Sequence, residues 1–261
     1  MQMHQVDVGC ANCHLLIAEN TVILIDGGTN CYGSQWRNIP VTGDSPDQML
    51  QYIAATGIDH IDAHFVTHYH NDHAMQIPDF SMLYGKESTV LYGPSDKLPE
   101  RFTPLSNGMY CRLKDGEELD IGSFHVQCVG PSLVRQEGEI NEDSLNLLIT
   151  FGSFRVLFTG DYMADKVWQE HEEAIQNVDV FVWPHHGLEP FPVTSHSLQV
   201  LNPKVVLVPG ASLSQVRFKF DRLNLKPDIY SNYHGNIVII SDGKTLEVHT
   251  HAEPGAYAKE R

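Results

Sequence analysis

The sequence predicts an α/β protein: a four-layer αββα sandwich, with two mixed β-sheets packed face to face and helices on the outer faces. Three observations predict it. Each half of the chain runs through short strands, then a helix and a strand, and closes that strand on polar residues. The strand beginning IDAHFV is largely apolar, as expected where both faces of a sheet are covered. No composition break, low-complexity tract or short-period repeat divides the 261 residues, so 1–251 read as one domain and 252–261 as a flexible tail.

The elements follow in order. HQVDVG (4–9), HLLIAE (14–19) and TVILIDGG (21–28) alternate apolar runs with turn residues and read as three strands. In GDSPDQMLQYIAATG, Ser45 can cap a helix, Pro46 suits its first position and Gly57 can close it. IDAHFVTH (61–68) is the next strand, and Asn71 or Asp72 can cap a short helix near Ala74. STVLYG (88–93) is a strand, followed by a proline-bearing loop from Pro94 to Pro104. ELDIG and SFHVQCVG form a hairpin, and EINEDS (139–144) is a polar loop. NLLITFG and FRVLFTGD form a second hairpin about Gly152–Ser153, and a helix spans roughly 164–176. VDVFVWP (178–184) is a strand, SLQVLNP a short helix, VVLVPG a strand, and NIVIISDGKTLEVHT (236–250) a closing hairpin turning at Asp242–Gly243.

Composition narrows the function. Hydrophobic residues make up 42% and charged residues 19%, ordinary for a globular protein. Seventeen Lys and Arg against 33 Asp and Glu give a net charge of −16, which disfavours long nucleic acids as partners and favours a small ester substrate. No apolar run approaches the roughly 18 residues of a membrane helix. The start shows neither a basic nor an apolar signal region, and five cysteines suit reduced thiols, so the expectation is a cytoplasmic protein without membrane contact. Oligomeric state is left open.

The chemistry concentrates in FVTHYHNDHAMQI (65–77), where His68, His70, Asp72 and His73 fall within six positions. Borderline divalent ions such as zinc favour neutral imidazole and carboxylate ligands. His68 and His70, two apart at a strand end, can grip one ion. Asp72 and His73 in the next turn can address a second. An ion pair about 3.5–4 Å apart can share a water and lower its pKa. A solvated polar loop is the bland alternative. Two further strand ends supply candidates: FTGD places Asp161, and FVWPHHG places His185 and His186. Alone each is weak, but all three end apolar strands on metal-type ligands.

H-x-H-x-D-H after a buried strand, with a later GD and a later histidine, resembles the metallo-β-lactamase fold superfamily. VDVG (6–9), LIDGG (24–28), THYHNDHA (67–74), NEDSLNLLITFG (141–152), VLFTGD (156–161), VWPHHG (182–187) and IVIISDGKTLEV (237–248) follow in the expected order, covering nearly the whole chain. More narrowly, SLNLL, FTGD, PHHG and SDGKTLEV look like the soluble metallo-hydrolase domain of bacterial DNA-uptake competence proteins and their free-standing relatives. The resemblance implies two divalent ions, zinc first, manganese or iron as alternatives. One site would use His68, His70 and Asp161; the other Asp72, His73, Asp161 and one histidine of PHHG. His185, first after the strand, is taken as that ligand with His186 as the fallback, and His186 is otherwise left to the substrate. Many superfamily members have a further histidine ligand before GD. This chain has Asn141, Asp143 and Ser144 in that region, so its first site is expected to be weak, completed by water or manganese-preferring, with Asn141 and Ser144 facing substrate. The membrane segments of competence proteins are absent from this sequence, and DNA uptake does not transfer.

Other residues carry alternatives. GCANCH (9–14) matches the c-type haem pattern, but a turn between strands without an export signal reads better as a reduced pair, Cys10 and Cys13. Structural zinc there would need more ligands, Cys31 being a distant one. His234 in SNYHGN could bind substrate or protonate a leaving group, or be an exposed loop residue. Tyr32, Trp36, Phe191 and Tyr230 could wall a pocket. The expected function is a dinuclear metal-dependent hydrolase that uses a metal-activated hydroxide on a small phosphodiester or phosphoester, with Asp72 orienting the water. Rivals are a single-strand nuclease and a lactonase or thioesterase acting on a carboxylic ester.

Overall fold

The computed structural model describes residues 1–28, 46–102, 108–163, 165–188, 193–210 and 213–253. The expected positions Cys31, Tyr32, Trp36, Ser45 and Phe191 lie outside them, as does the tail from 254. The last described segment is anchored, with Ala252 donating its N–H to the Asn236 carbonyl at 2.9 Å.

The first half contains β1 (Gln2–Gln5), β2 (Cys13–Ala18), β3 (Thr21–Asp26), α1 (Pro46–Ala55), β4 (Ala63–Phe65), α2 (Asn71–Ala74), α3 (Ile77–Tyr84), β5 (Val90–Gly93) and β6 (Met109–Arg112). The second contains β7 (Glu118–Ile121), β8 (Phe124–Cys128), β9 (Leu147–Phe151), β10 (Phe154–Phe158), α4 (Asp165–Ile175), β11 (Val180–Val182), α5 (Ser195–Leu201), β12 (Val205–Val208), α6 (Leu213–Arg222), β13 (Asp228–Ser231), β14 (Ile237–Ser241) and β15 (Leu246–His249). One sheet has the order β15-β14-β1-β2-β3-β4-β5-β6 and the other β13-β12-β11-β10-β9-β8-β7.

Both sheets are mixed in the same way. The first is antiparallel from β15 to β3 and parallel from β3 to β6. The second is antiparallel from β7 to β10 and parallel from β10 to β13. The functional loops leave the C-terminal ends of parallel strands, where crossover connections must turn back.

Side-chain alternation sorts the strands into layers. Ile23 and Ile25 of β3, Val156 and Phe158 of β10, Val180 and Val182 of β11, and Val205 and Leu207 of β12 meet between the sheets. Their neighbours face outward. Val22 and Leu24 lie under Tyr52, Ile53 and Phe80 of α1 and α3. Leu157, Phe181 and Val206 lie under Leu198 and Phe220 of α5 and α6. Residues apolar on both faces are thus what a four-layer sandwich requires, and the chain has that architecture.

Three differences from the sequence reading concern extent. Strand β1 ends at Gln5, so Asp7 and Gly9 belong to the following turn. Asn71 and Asp72 lie inside α2, and His70 takes the cap position without a side-chain cap bond. Strands β6 and β13 and helices α3 and α6 were not anticipated. Three of them mix exposed apolar residues into their pattern, Met82 and Leu83 in α3, Met109 in β6 and Phe218 in α6, while β13 opens on the exposed Asp228. No described helix is long and apolar enough to cross a membrane.

Three histidines are part of the packing. His4 pairs its Nδ1 with the Tyr52 hydroxyl at 2.9 Å, His14 faces Gln5, and His64 holds the Asp26 carbonyl at 3.2 Å. Burial pushes His4 and His64 down to about 4 and His14 to about 3, with His73 and His186 adding to the shift of His14. The folded state keeps these rings neutral while the unfolded chain takes up protons below about pH 6.5, so stability falls as pH drops from 6.5 towards 4. At pH 5 the expected loss is about 2 kcal/mol for each ring. Thermal unfolding between pH 7 and 5 should show this slope, and His4→Gln should reduce it by one ring's share; an unchanged slope would remove His4 from the account.

Candidate metal centre

Three loops, after β4, β10 and β11, bring their side chains to one rim. Asp72, His73, Asp161 and His186 form one group whose ligand atoms all lie within 4.8 Å of one another, and His68, His70 and Asp161 form a second. Asp161 is common to both. His73 Nε2 stands 3.0 Å from Asp161 Oδ1, and His186 Nε2 stands 3.3 Å from the same oxygen and 3.2 Å from Asp72 Oδ2. His68 Nε2 lies 3.8 Å from Asp161 Oδ2.

These contacts leave the groups unsatisfied. His68 Nε2, His73 Nε2, His186 Nε2, Asp72 Oδ1 and Asp161 Oδ1 are buried atoms that make no hydrogen bond. Tetrahedral ligands about 2.0–2.1 Å from an ion are about 3.3–3.4 Å apart, close to most of the spacings here. Buried polar atoms that approach one another without bonding leave a desolvation cost that a cation would offset. The donor set, imidazole and carboxylate, fits a divalent metal.

Each imidazole is aimed by its other nitrogen, the arrangement that fixes a ligand's tautomer and direction. His73 Nδ1 is 2.9 Å from Asp26 Oδ2, His186 Nδ1 donates to the Pro209 carbonyl at 2.9 Å, and His70 Nε2 donates to the Glu139 carbonyl at 3.0 Å. His68 Nδ1 lies 3.3 Å from both the Thr67 and Ser144 hydroxyls. Three rings therefore present Nε2 to the centre, and His70 retains Nδ1.

Sequence reasoning missed Asp26 as a part of this machinery. Fully buried at the end of β3, it accepts from the Thr67 N–H at 2.8 Å and lies 3.0 Å from the Thr67 hydroxyl, besides holding His73. The signal was present in LIDGG, a carboxylate at a strand end before two glycines. Gly28 is there because the ligand helix passes against it: a Cβ at this position would fall 1.9 Å from the Asp72 carbonyl carbon. Asn12 donates its N–H to the Asp72 carbonyl and Gly27 donates to the His73 carbonyl, so backbone bonds clamp α2 from below.

The other expected residues distribute differently. His186, rather than His185, joins the metal-type group. Both adopt φ of 53°, a left-handed conformation uncommon outside glycine, and this tight turn swings successive side chains apart. His185 is half-buried and outside both groups. Ser144 is buried, touching His68 and accepting from the Asp161 N–H at 3.1 Å, so its hydroxyl braces members of both groups. Asp143 accepts from the N–H groups of Arg135, Gln136 and Gly138 and is a loop clamp. Asn141 occupies a 3-10 turn, and its Oδ1 is buried without a hydrogen bond. His234 lies in a turn held by Ser231 and lines a surface cavity with Arg217, Asp221, Lys226 and Tyr230, none of which is in either metal-type group. Cys10 and Cys13 are free, buried thiols; burial pushes Cys10 up to about 12, with Asp72 and Asp161 adding to it, which argues against a reactive thiolate.

Electrostatics prepare the centre for cations. Burial opposes ionisation of Asp161, and His73, His186 and His68 outweigh it, holding its carboxyl well below the usual range. Asp72 is lowered for the same reason, with His186 and His73 overcoming burial. Burial drives His68 down, leaving it neutral and ready to ligate. His73 and His186 are raised despite burial, because the carboxylates beside them favour protons that a metal would replace.

Asp26→Asn keeps the shape of the side chain and removes its charge. The expected result is a loss of metal affinity of roughly 10–100-fold, the usual scale for a ligand's supporting partner. Metal titration of the chelator-stripped variant checks this, and unchanged affinity would deny Asp26 its positioning role.

A family model described as beta-lactamase superfamily domain matches residues 8–209. Sequence comparison with curated proteins yields no match. Among solved structures, the fold is similar to the metallo-beta-lactamase fold protein YhfI from Bacillus subtilis, at 14% identity and a TM-score of 0.60 over 95% of this chain and 100% of that one. It is similar to a diphosphatase from the PhnP family, at 15% identity and a TM-score of 0.56 over 93% and 98% of the two chains. Igni18, a metallo hydrolase from the archaeon Ignicoccus hospitalis KIN4/I, is also similar, at 11% identity and a TM-score of 0.56 over 95% and 99%. Such identities speak to fold alone. The matched span includes β2 to β12 and every residue of the two metal-type groups, and on that match the chain belongs to the beta-lactamase superfamily.

Proposed function

We propose that the protein is a dinuclear metal-dependent hydrolase acting on a small phosphodiester or phosphoester. The observation that carries this reading is Asp161, a single buried carboxylate shared by two groups of ligands, most of whose facing atoms lack hydrogen bonds. When bound, two divalent ions would supply Lewis acidity, making a water acidic near neutral pH and balancing charge that develops on the reacting ester.

The chain's own residues do the rest. His68, His70, His73 and His186 hold direction through their second nitrogens, so little reorganisation accompanies loading. Asp161 faces both groups. Asp72 turns Oδ2 towards His186, and its Oδ1 is free to accept a proton from an attacking water and orient it. Zinc suits the imidazole-rich set, and manganese or iron would suit the carboxylates.

Two observations favour phosphorus over a carboxylic ester, and a third favours a small substrate. SLNLL (144–148), FTGD (158–161), PHHG (184–187) and SDGKTLEV (241–248) resemble the competence-protein hydrolase domain. A similar fold is described as a diphosphatase from the PhnP family. The net charge of −16 argues for a small substrate over a long polyanion.

Protein supplied with Zn2+ or Mn2+ should hydrolyse p-nitrophenyl phosphodiesters, and His70→Ala should abolish turnover without changing the circular dichroism spectrum. Asp72→Asn should lower kcat by about 10²–10⁴, the range for loss of a general base, with metal content measured alongside. Turnover of lactones or thioesters in place of phosphoesters would move the substrate assignment, and no turnover with any metal would end the hydrolase reading.

A further inference from the structure

The two groups are built unequally. Asp72, His73, Asp161 and His186 offer four protein ligands, all buried. His68, His70 and Asp161 offer three, and His70 is only partly buried, so this side opens to solvent. The chain's remaining candidates near that side are spoken for. Asp143 is saturated by three backbone N–H groups, and the Ser144 hydroxyl is engaged with His68 and with the Asp161 N–H.

In that turn Asn141 carries a buried acceptor without a partner. Asn141 lies between Glu139, whose carbonyl holds His70, and Ser144, whose hydroxyl touches His68, so the loop packs against both histidines of the three-ligand group. Its Oδ1 is buried and makes no hydrogen bond. An orphaned buried amide oxygen is costly unless something coordinates or bonds it. Asn146 also has an unpartnered Oδ1. Its amide nitrogen, however, is held by the carbonyls of Ser144, Thr159 and Tyr162, and it lies between the core residues Leu145 and Leu147.

We propose that the two ion sites are unequal: the buried four-ligand group fills first and tightly, while the His68–His70–Asp161 group is a weaker, solvent-facing site that Asn141 completes through Oδ1. This rests on the two-ion reading above. With Asn141 each site offers two imidazoles and two oxygens, and the solvent-facing site has a neutral amide where the buried one has a second carboxylate, which weakens its hold on any divalent ion. The open side is also where a substrate oxygen can join the coordination.

The test is titration of chelator-stripped protein with Zn2+ and, separately, Mn2+, followed by calorimetry and native mass spectrometry. Two binding events are expected with each metal, the second weaker by roughly tenfold or more. Asn141→Ala should weaken only the second event, by roughly 10–100-fold, and Asn141→His should tighten it for Zn2+. Thermal unfolding of both variants confirms that they are folded. Equal affinities in the unmodified protein, second-ion affinity indifferent to both Asn141 variants, or a loss confined to Asn146→Ala would each overturn the proposal while leaving two-ion binding intact. A protein that binds one ion or none removes the two-ion reading itself.

Discussion

The structure depends on an unpaid electrostatic debt at one rim of the sandwich. Imidazole nitrogens and carboxylate oxygens from three loops are driven together and buried, yet they do not satisfy one another. Isolated, such a cluster would be destabilising, since each buried polar atom without a partner costs free energy. What tolerates it is the surrounding frame: the apolar layer between the sheets, the backbone clamp on α2, and hydrogen bonds to the far side of every ring. Rigidity there is bought with strain, as in the left-handed turn at His185 and His186.

The fold places these groups through its topology. Each sheet changes from antiparallel to parallel pairing partway across, at β3 in one and β10 in the other. Loops that leave parallel strands emerge on a common edge, so Asp26, the His68–His73 segment, Asp161 and His186 need no long excursions to meet. The Asp26 carboxylate then joins two of these loop origins, linking the end of β3 to the segment after β4 through Thr67 and His73.

Much of this was legible in the amino-acid order, and the reasons differ by element. Strands such as TVILID and FRVLF announce themselves because burial on both faces makes them largely apolar. The ligand cluster was legible because four metal-type side chains in six positions have few other uses. Less could be read where the determining contact is distant. The choice between His185 and His186 is settled by backbone dihedrals in a turn, which neither residue type reveals. Ser144 and Asp143 look alike as polar loop residues, and only the fold shows that one braces His68 while the other gathers three N–H groups. The helix α6 and strand β13 escaped notice because charged residues such as Lys219 and Asp228 interrupt their apolar spacing.

The long sequence span of the supporting contacts has a consequence for biosynthesis. Asp26 is made early, yet its partner ring belongs to a centre that also requires His186, itself held by the carbonyl of Pro209. A nascent chain emerging from the ribosome therefore carries the HYHNDH segment for more than a hundred residues before His186, the last residue of the two groups, is made. The centre cannot close until strands of both sheets have been made.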